Sequence, residues 1–142
     1  MILLNEQMIN KPKVLIVEDD TLILKAMKLK YAAKGFLIKT ASDGVEALKI
    51  LKKWVPSVVI LDILMPNKDG YEVLKEIKSD EKLKGMPVLI ASNLSQEKDI
   101  SKGMNLSAAE FFVKSDLSLD DLLAKTIYHI QMSSHGRKSM GL

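Results

Sequence analysis

Four short stretches of this chain carry residues able to do chemistry together: Glu18-Asp19-Asp20, a lone Asp62, Ser92-Asn93, and Lys114. Each directly follows an apolar run. Acids brought to one place repel one another, by about 3 kcal/mol for two carboxylates about 5 Å apart at an effective dielectric near 20. Lys114 alone could not neutralise Glu18, Asp19 and Asp62. A magnesium ion would relieve the repulsion, since it takes oxygen ligands, binds through one or two carboxylates and leaves positions for water or phosphate. Asp62 would then keep one oxygen free to attack phosphorus and form an acyl phosphate. Metal and Lys114 would share the charge on the equatorial oxygens of an in-line transfer, and Ser92 could donate a hydrogen bond to one of them.

Such convergence requires elements that bring distant segments to one rim. Strand candidates are Lys13 to Val17, Phe36 to Thr40, Val58 to Leu61, Val88 to Ala91 and Glu110 to Val113. Val14-Leu15-Ile16-Val17, Val58-Val59-Ile60-Leu61 and Val88-Leu89-Ile90-Ala91 are apolar without alternation, as central parallel strands covered on both faces are. Between the strands lie segments of helical period. Asp20 can cap the first helix, whose Leu22, Ile23, Ala26, Met27 and Leu29 form an apolar stripe, and Gly35 stops it. Asp43 with Glu46 and Asp69 with Glu72 have capping-box spacing for the second and third. Ser95 can begin a fourth, ended by Gly103, and a fifth runs from about Ser118 to Gln131.

Strand and helix alternate about five times, which predicts an α/β, doubly wound, five-stranded parallel sheet with right-handed crossovers and about five helices. A flavodoxin-like strand order of 2-1-3-4-5 puts strand two at an edge and the ends of strands one, three, four and five side by side. Only Ala41 and Ser42 follow strand two; every candidate residue follows one of the other four. One domain is expected over residues 13–131, with an N-terminal extension at 1–12 and a polar tail at 132–142.

Composition removes other classes. There are no cysteines, so neither a disulfide framework nor a thiolate zinc site is available. His129 and His135 lie outside any ligand cluster. A net charge of +3 raises the question of nucleic acid, yet all of the 21 basic residues but Arg137 are lysines, spread among 18 acids, so nucleic acid is not an expected partner. No signal peptide and no run of about 18 apolar residues is present, so no membrane partner and a cytoplasmic location are expected.

At these residues the sequence resembles the receiver domain of two-component response regulators, from roughly Lys13 to Gln131. Val14-Leu15-Ile16-Val17-Glu18-Asp19-Asp20 is similar to the family's acidic motif on strand one. Val59-Ile60-Leu61-Asp62-Ile63-Leu64-Met65-Pro66, with Asp69-Gly70, is similar to its phosphoacceptor motif. Pro87 to Ser92 resembles the strand ending in the switch hydroxyl, and Phe111-Phe112-Val113-Lys114 the strand with aromatic and lysine. The resemblance implies Asp62 as phosphoacceptor, with Asp19, Asp62 and the Leu64 backbone carbonyl as Mg2+ ligands and Glu18 holding the metal through water. It further implies that Lys114 pairs with the phosphate, Ser92 swings toward it and Phe111 changes rotamer with Ser92. The donor would be a sensor histidine kinase or histidine phosphotransfer protein. With no output domain in the sequence, the readout would pass to a downstream protein through helix four, strand five and helix five. Enzymatic activity would be limited to self-phosphorylation and self-dephosphorylation.

Three departures stand out. Ser115 replaces the usual cis proline after the lysine, so a trans Lys114 bond is expected. Asn93 stands where a small residue is usual and is a candidate rate modifier. Phe111 replaces the common tyrosine. Other residues have plainer readings: Asp20 as a cap, Asp69-Gly70 as turn and cap without chemistry, Trp54 as helix-end packing, and His129 as a solvated position. Alternative functions are a degenerate receiver acting as a phosphorylation-independent module, a flavin carrier and a magnesium-dependent phosphohydrolase. The acids after strand one oppose the flavin reading by repelling its phosphate. The hydrolase needs two acids spaced two apart after strand one, and Glu18 with Asp20 begins with the wrong one.

Overall fold

The fold comes from a computed structural model that describes residues 11–133. Five strands form one parallel sheet: β1 (Lys13–Val17), β2 (Leu37–Ala41), β3 (Val58–Leu61), β4 (Val88–Ser92) and β5 (Glu110–Val113), in the order β2-β1-β3-β4-β5. Among the described residues five α-helices connect and follow them: α1 (Thr21–Ala33), α2 (Gly44–Leu51), α3 (Gly70–Ser79), α4 (Glu97–Asn105) and α5 (Leu119–Met132). A 3-10 turn, Lys114–Asp116, leaves β5. The α/β doubly wound order expected from the apolar runs is thus the order observed.

β3 and β4 are buried at every residue and β1 at all but its first, because helices cover both faces. On one face Val14, Ile16, Ile60, Leu89 and Phe112 pack with Met27 and Tyr31 of α1 and Leu122, Leu123 and Ile130 of α5. On the other, Leu15, Val17, Leu61 and Ile90 pack with Ala47 and Leu51 of α2 and Val73, Leu74 and Ile77 of α3. Each Val, Leu, Ile, Phe or Met side chain among them contributes about 1.5–3 kcal/mol on burial. β2, at the edge, alternates between exposed and half-buried up to its last residue, Ala41, which is buried. It begins at Leu37 instead of Phe36, which is buried with its ring edge-on to Tyr31 at 5.2 Å.

The helix ends follow local chemistry in four of five cases. Asp20 Oδ1 accepts from the backbone N–H groups of Leu22 and Ile23, Asp43 from Glu46, Asp69 from Glu72 and Ser118 from Asp121. Gly35, at φ +88°, turns the chain after α1. α4 departs from expectation at both ends. Gln96, not Ser95, precedes it and makes no side-chain cap, while Gly103 lies inside the helix and is buried. A Cβ there would come within 2.7 Å of Ile90 Cδ1 and 3.0 Å of Phe111 Cδ2, so the glycine permits close packing of α4 on β4 and β5. The stop comes from Ser107 at φ +72°, with the Ala108 N–H returning to the Gly103 carbonyl at 3.1 Å.

The stripe expected on α1 is also corrected. Leu22 and Leu29 are 79% and 70% exposed, and the buried residues are Met27 and Tyr31. Tyr31 is drawn in by a 2.7 Å hydrogen bond with Thr126 of α5. His129 is not a free solvated position: its Nε2 lies 2.7 Å from Glu110 Oε1, joining α5 to β5. Trp54 is half-buried after α2, and the Lys13 and Lys39 ammonium groups stand 5.9 and 5.2 Å from its ring centroid. Residues 1–10 and 134–142, which hold His135 and most of the proposed extension and tail, lie outside the described residues. Among the described residues no helix is long and apolar enough to cross a membrane.

Candidate functional site

The carboxyl ends of β1, β3, β4 and β5 meet at one rim, and the acids gather there. Val17 ends β1, so Glu18 and Asp19 project from the strand end; Asp62 follows β3 in the same way. The Glu18 N–H donates to the Ala41 carbonyl and the Asp62 N–H to the Val17 carbonyl, both at 3.0 Å, which fixes the backbone beneath each acid. Oxygens of Glu18, Asp19 and Asp62 all lie within 4.8 Å of one another. Glu18 and Asp62 are buried and Asp19 is exposed. At that spacing two charges repel by about 3.5 kcal/mol at an effective dielectric of about 20.

Lys114 answers part of this charge. Its ammonium hydrogen-bonds Glu18 Oε1 and, at 3.1 Å, Asp62 Oδ2. The other Asp62 oxygen accepts from the Ile63 N–H at 2.7 Å, and Glu18 Oε2 from the Asp20 N–H at 3.1 Å. Burial pushes the Glu18 carboxyl above the usual carboxylate range, against the pull of the Lys114 and Asp20 hydrogen bonds. Burial draws the Lys114 ammonium down, but the Glu18 hydrogen bond and the Asp62 charge outweigh it and hold its pKa above the usual lysine value. Lys114 is therefore charged at neutral pH.

The oxygen-only donor set suits a hard divalent cation. Oxygens sharing one magnesium ion lie within about 4.2 Å of each other, twice a bond of about 2.1 Å. With one oxygen from each of the three acids within 4.8 Å of the others and Asp19 exposed, the residues present fit such an ion. The remaining sequence-derived residues lie near the rim, except Phe111, which sits lower on β5. Ser92 is fully buried at the end of β4, opposite Val113, and its Oγ accepts from the Leu94 N–H at 3.3 Å. Asn93 is exposed. Phe111 is half-buried, opposite Ile90 and against the core on the α4 side. The Leu64 side chain is 58% exposed. Ser115 sits in the 3-10 turn, and among the described residues no peptide bond is cis.

Two supports of the site went unread in the sequence. Gly70 does more than begin a helix: a Cβ there would lie 2.2 Å from the Asp62 carbonyl oxygen, so only glycine lets α3 start against the Asp62 backbone. Its N–H donates to the Ile63 carbonyl at 2.9 Å. Asn67, at φ +68°, donates from Nδ2 to Asp43 Oδ2 at 2.8 Å and pins the loop after Asp62 to the start of α2. Asparagine tolerates this left-handed backbone, which was the signal available.

Comparison with known proteins gives the same picture. The "Probable transcriptional regulator ycf27" of Guillardia theta is 40% identical over 104 residues, which is 73% of this chain and 40% of that protein. The chain thus spans less than half the length of such curated relatives. Among solved structures, the phosphorylated cyanobacterial phytochrome response regulator RcpA is 30% identical with a TM-score of 0.73, covering 84% of this chain and 91% of that one. The Mn(2+)-bound form of response regulator Rcp1 is 25% identical with a TM-score of 0.71, covering 85% and 93%. The profile of the response regulator receiver domain matches residues 14–127. A match of that extent, running from β1 into α5 and taking in the acids and the lysine, makes the chain a member of the response regulator receiver domain family of two-component signalling.

Proposed function

We propose that this domain is a phosphorylation-controlled switch in which Asp62 accepts a phosphoryl group from a sensor histidine kinase or histidine phosphotransfer protein. One observation carries the reading: three acid side chains share a rim with a charged lysine 3.1 Å from Asp62 Oδ2. Asp19, Asp62 and the Leu64 carbonyl would hold Mg2+ directly and Glu18 through water; when bound, the ion supplies positive charge to the phosphoryl oxygens during transfer. Asp62 is the nucleophile, attacking phosphorus as the donor's bond breaks. Lys114 exchanges its contact with Asp62 for one with a phosphoryl oxygen, and Glu18 keeps the lysine aimed at the rim. Ser92 turns its hydroxyl from the Leu94 N–H toward the phosphate, and Phe111 follows into the space released. Asn93, exposed beside Ser92, modifies the rate at which water or donor reaches the acid.

The altered surface is that of α4, β5 and α5, read by a downstream protein. The domain spans residues 13–131, acts in the cytoplasm and catalyses only its own phosphorylation and dephosphorylation. RcpA, described as phosphorylated, and Rcp1, described as Mn(2+)-bound, support the same chemistry here. Incubation with Mg2+ and acetyl phosphate should add one phosphoryl group by intact mass, abolished by chelation and by Asp62→Asn. Incorporation that survives Asp62→Asn refutes the assignment.

A further inference from the structure

We infer that Tyr71 is a positioning residue that ties helix α4 to the loop carrying Asp62, so that loosening its contacts with α4 eases the switch. This rests on the proposed Asp62 switch and adds the part that restrains it. Tyr71 directly follows Gly70, whose backbone abuts the Asp62 carbonyl so closely that no side chain fits between them. A shift of the acceptor backbone therefore reaches Tyr71 through a single peptide unit. The far end of the side chain is fastened to α4: its hydroxyl donates to the Asp99 carbonyl at 2.9 Å, and the Lys102 ammonium stands 4.3 Å from its ring centroid. Burial first, then the Asp99 and Asp69 charges, push the Tyr71 pKa up, so the hydroxyl remains a donor at neutral pH.

Little else holds this helix. Gly103 is its one buried residue, and its N-terminus has no side-chain cap. Tyr71 and the Gly103 seat on Ile90 and Phe111 are thus two handles on the same helix, one leading from the acceptor loop and one from the Phe111 strand. A phosphoryl group that favours a displaced α4 has to break the Tyr71 contacts. By linkage, removing those contacts beforehand strengthens binding of a phosphoryl analogue.

The test uses Tyr71→Phe, which keeps the ring and removes the hydroxyl, and Lys102→Met, which removes the ammonium and keeps the bulk. Beryllofluoride with Mg2+ serves as the phosphoryl analogue, its affinity measured by titration calorimetry, with amide hydrogen exchange followed in parallel. In Tyr71→Phe, amides of Glu97–Asn105 should exchange faster while those of β1 and β3 keep their protection. Its beryllofluoride affinity should rise about two- to tenfold, the effect of one hydrogen bond net of exchange with water. Lys102→Met should move both readouts the same way by less. A merely structural tyrosine would lower stability without tightening binding. Unchanged α4 exchange, or unchanged or weaker affinity in Tyr71→Phe, overturns the inference while leaving the switch intact. Failure of the unmodified protein to bind beryllofluoride sinks the switch itself and this inference with it.

Discussion

Helices α3 and α4 lie on the same face of the sheet and are nearly equal in length, yet they are held in opposite ways. α3 starts on a side-chain cap from Asp69, abuts the Asp62 backbone through Gly70 and buries Tyr71, Val73, Leu74 and Ile77. α4 has no side-chain cap and buries only Gly103. Under the proposed switch the contrast separates two jobs: the helix beside Asp62 is anchored by a cap and four buried side chains after Gly70, whereas the helix beside β5 is held by few buried contacts. Local stability in proteins varies in this way with buried contacts and caps.

Substitutions that strike the two helices unequally should expose the difference. Leu74→Ala is expected to cost about 2–5 kcal/mol in urea unfolding, as for a fully buried leucine. Met104→Ala, on an α4 residue 43% exposed, should stay within about 0.5 kcal/mol. Equal costs would end the comparison. Gly70→Ala forces backbone against backbone and should destabilise by about 1–3 kcal/mol, with loss of phosphorylation by acetyl phosphate. The nearest atoms that Gly103→Ala meets are side-chain ones, Ile90 Cδ1 and the edge of the Phe111 ring, not backbone, so it should cost less than Gly70→Ala in the same titration. Supplying the missing cap with Gln96→Asp should stabilise by about 0.5–1 kcal/mol and slow amide exchange at the start of α4.

A smaller effect sharpens the picture on the rigid side. Hydrogen bonds from the Glu46 N–H, and then from Asn67, hold the exposed Asp43 carboxyl below the usual aspartate range. A depressed folded-state pKa gives stability that is present above the unfolded value of about 3.9 and lost as pH falls through the folded one. Acid titration of Asp43→Asn should therefore show a shallower loss of stability below about pH 4 than the parent chain.

The central strands and the acid rim were legible because both depend on short, unambiguous patterns. Val58-Val59-Ile60-Leu61 has no polar face, so a strand there must be covered twice, and the residue beyond its carboxyl end must reach the rim. α1 is ambiguous for the opposite reason. Leu22, Ile23, Leu24, Ala26, Met27 and Leu29 supply more apolar residues than one stripe holds, and the choice fell to Tyr31, whose partner Thr126 lies on α5, far away in the sequence. In α4, glycine at position 103 carries a stop signal in the sequence, and only the approach of Ile90 and Phe111 reveals it as a packing surface. Likewise His129 finds Glu110 across two elements, a contact that periodicity does not encode.

The chain's single tryptophan, Trp54, stands beside Lys13 at the start of β1 and Lys39 of β2, whereas the carboxylates of Glu18, Asp19 and Asp62 gather beyond the carboxyl ends of the strands. Its ultraviolet emission is a remote reporter. A fluorescence change on adding metal or phosphodonor would register strain transmitted away from the rim along the strands. A silent signal would mean that the disturbance stays local to the rim, and observing it would require an indole introduced nearby.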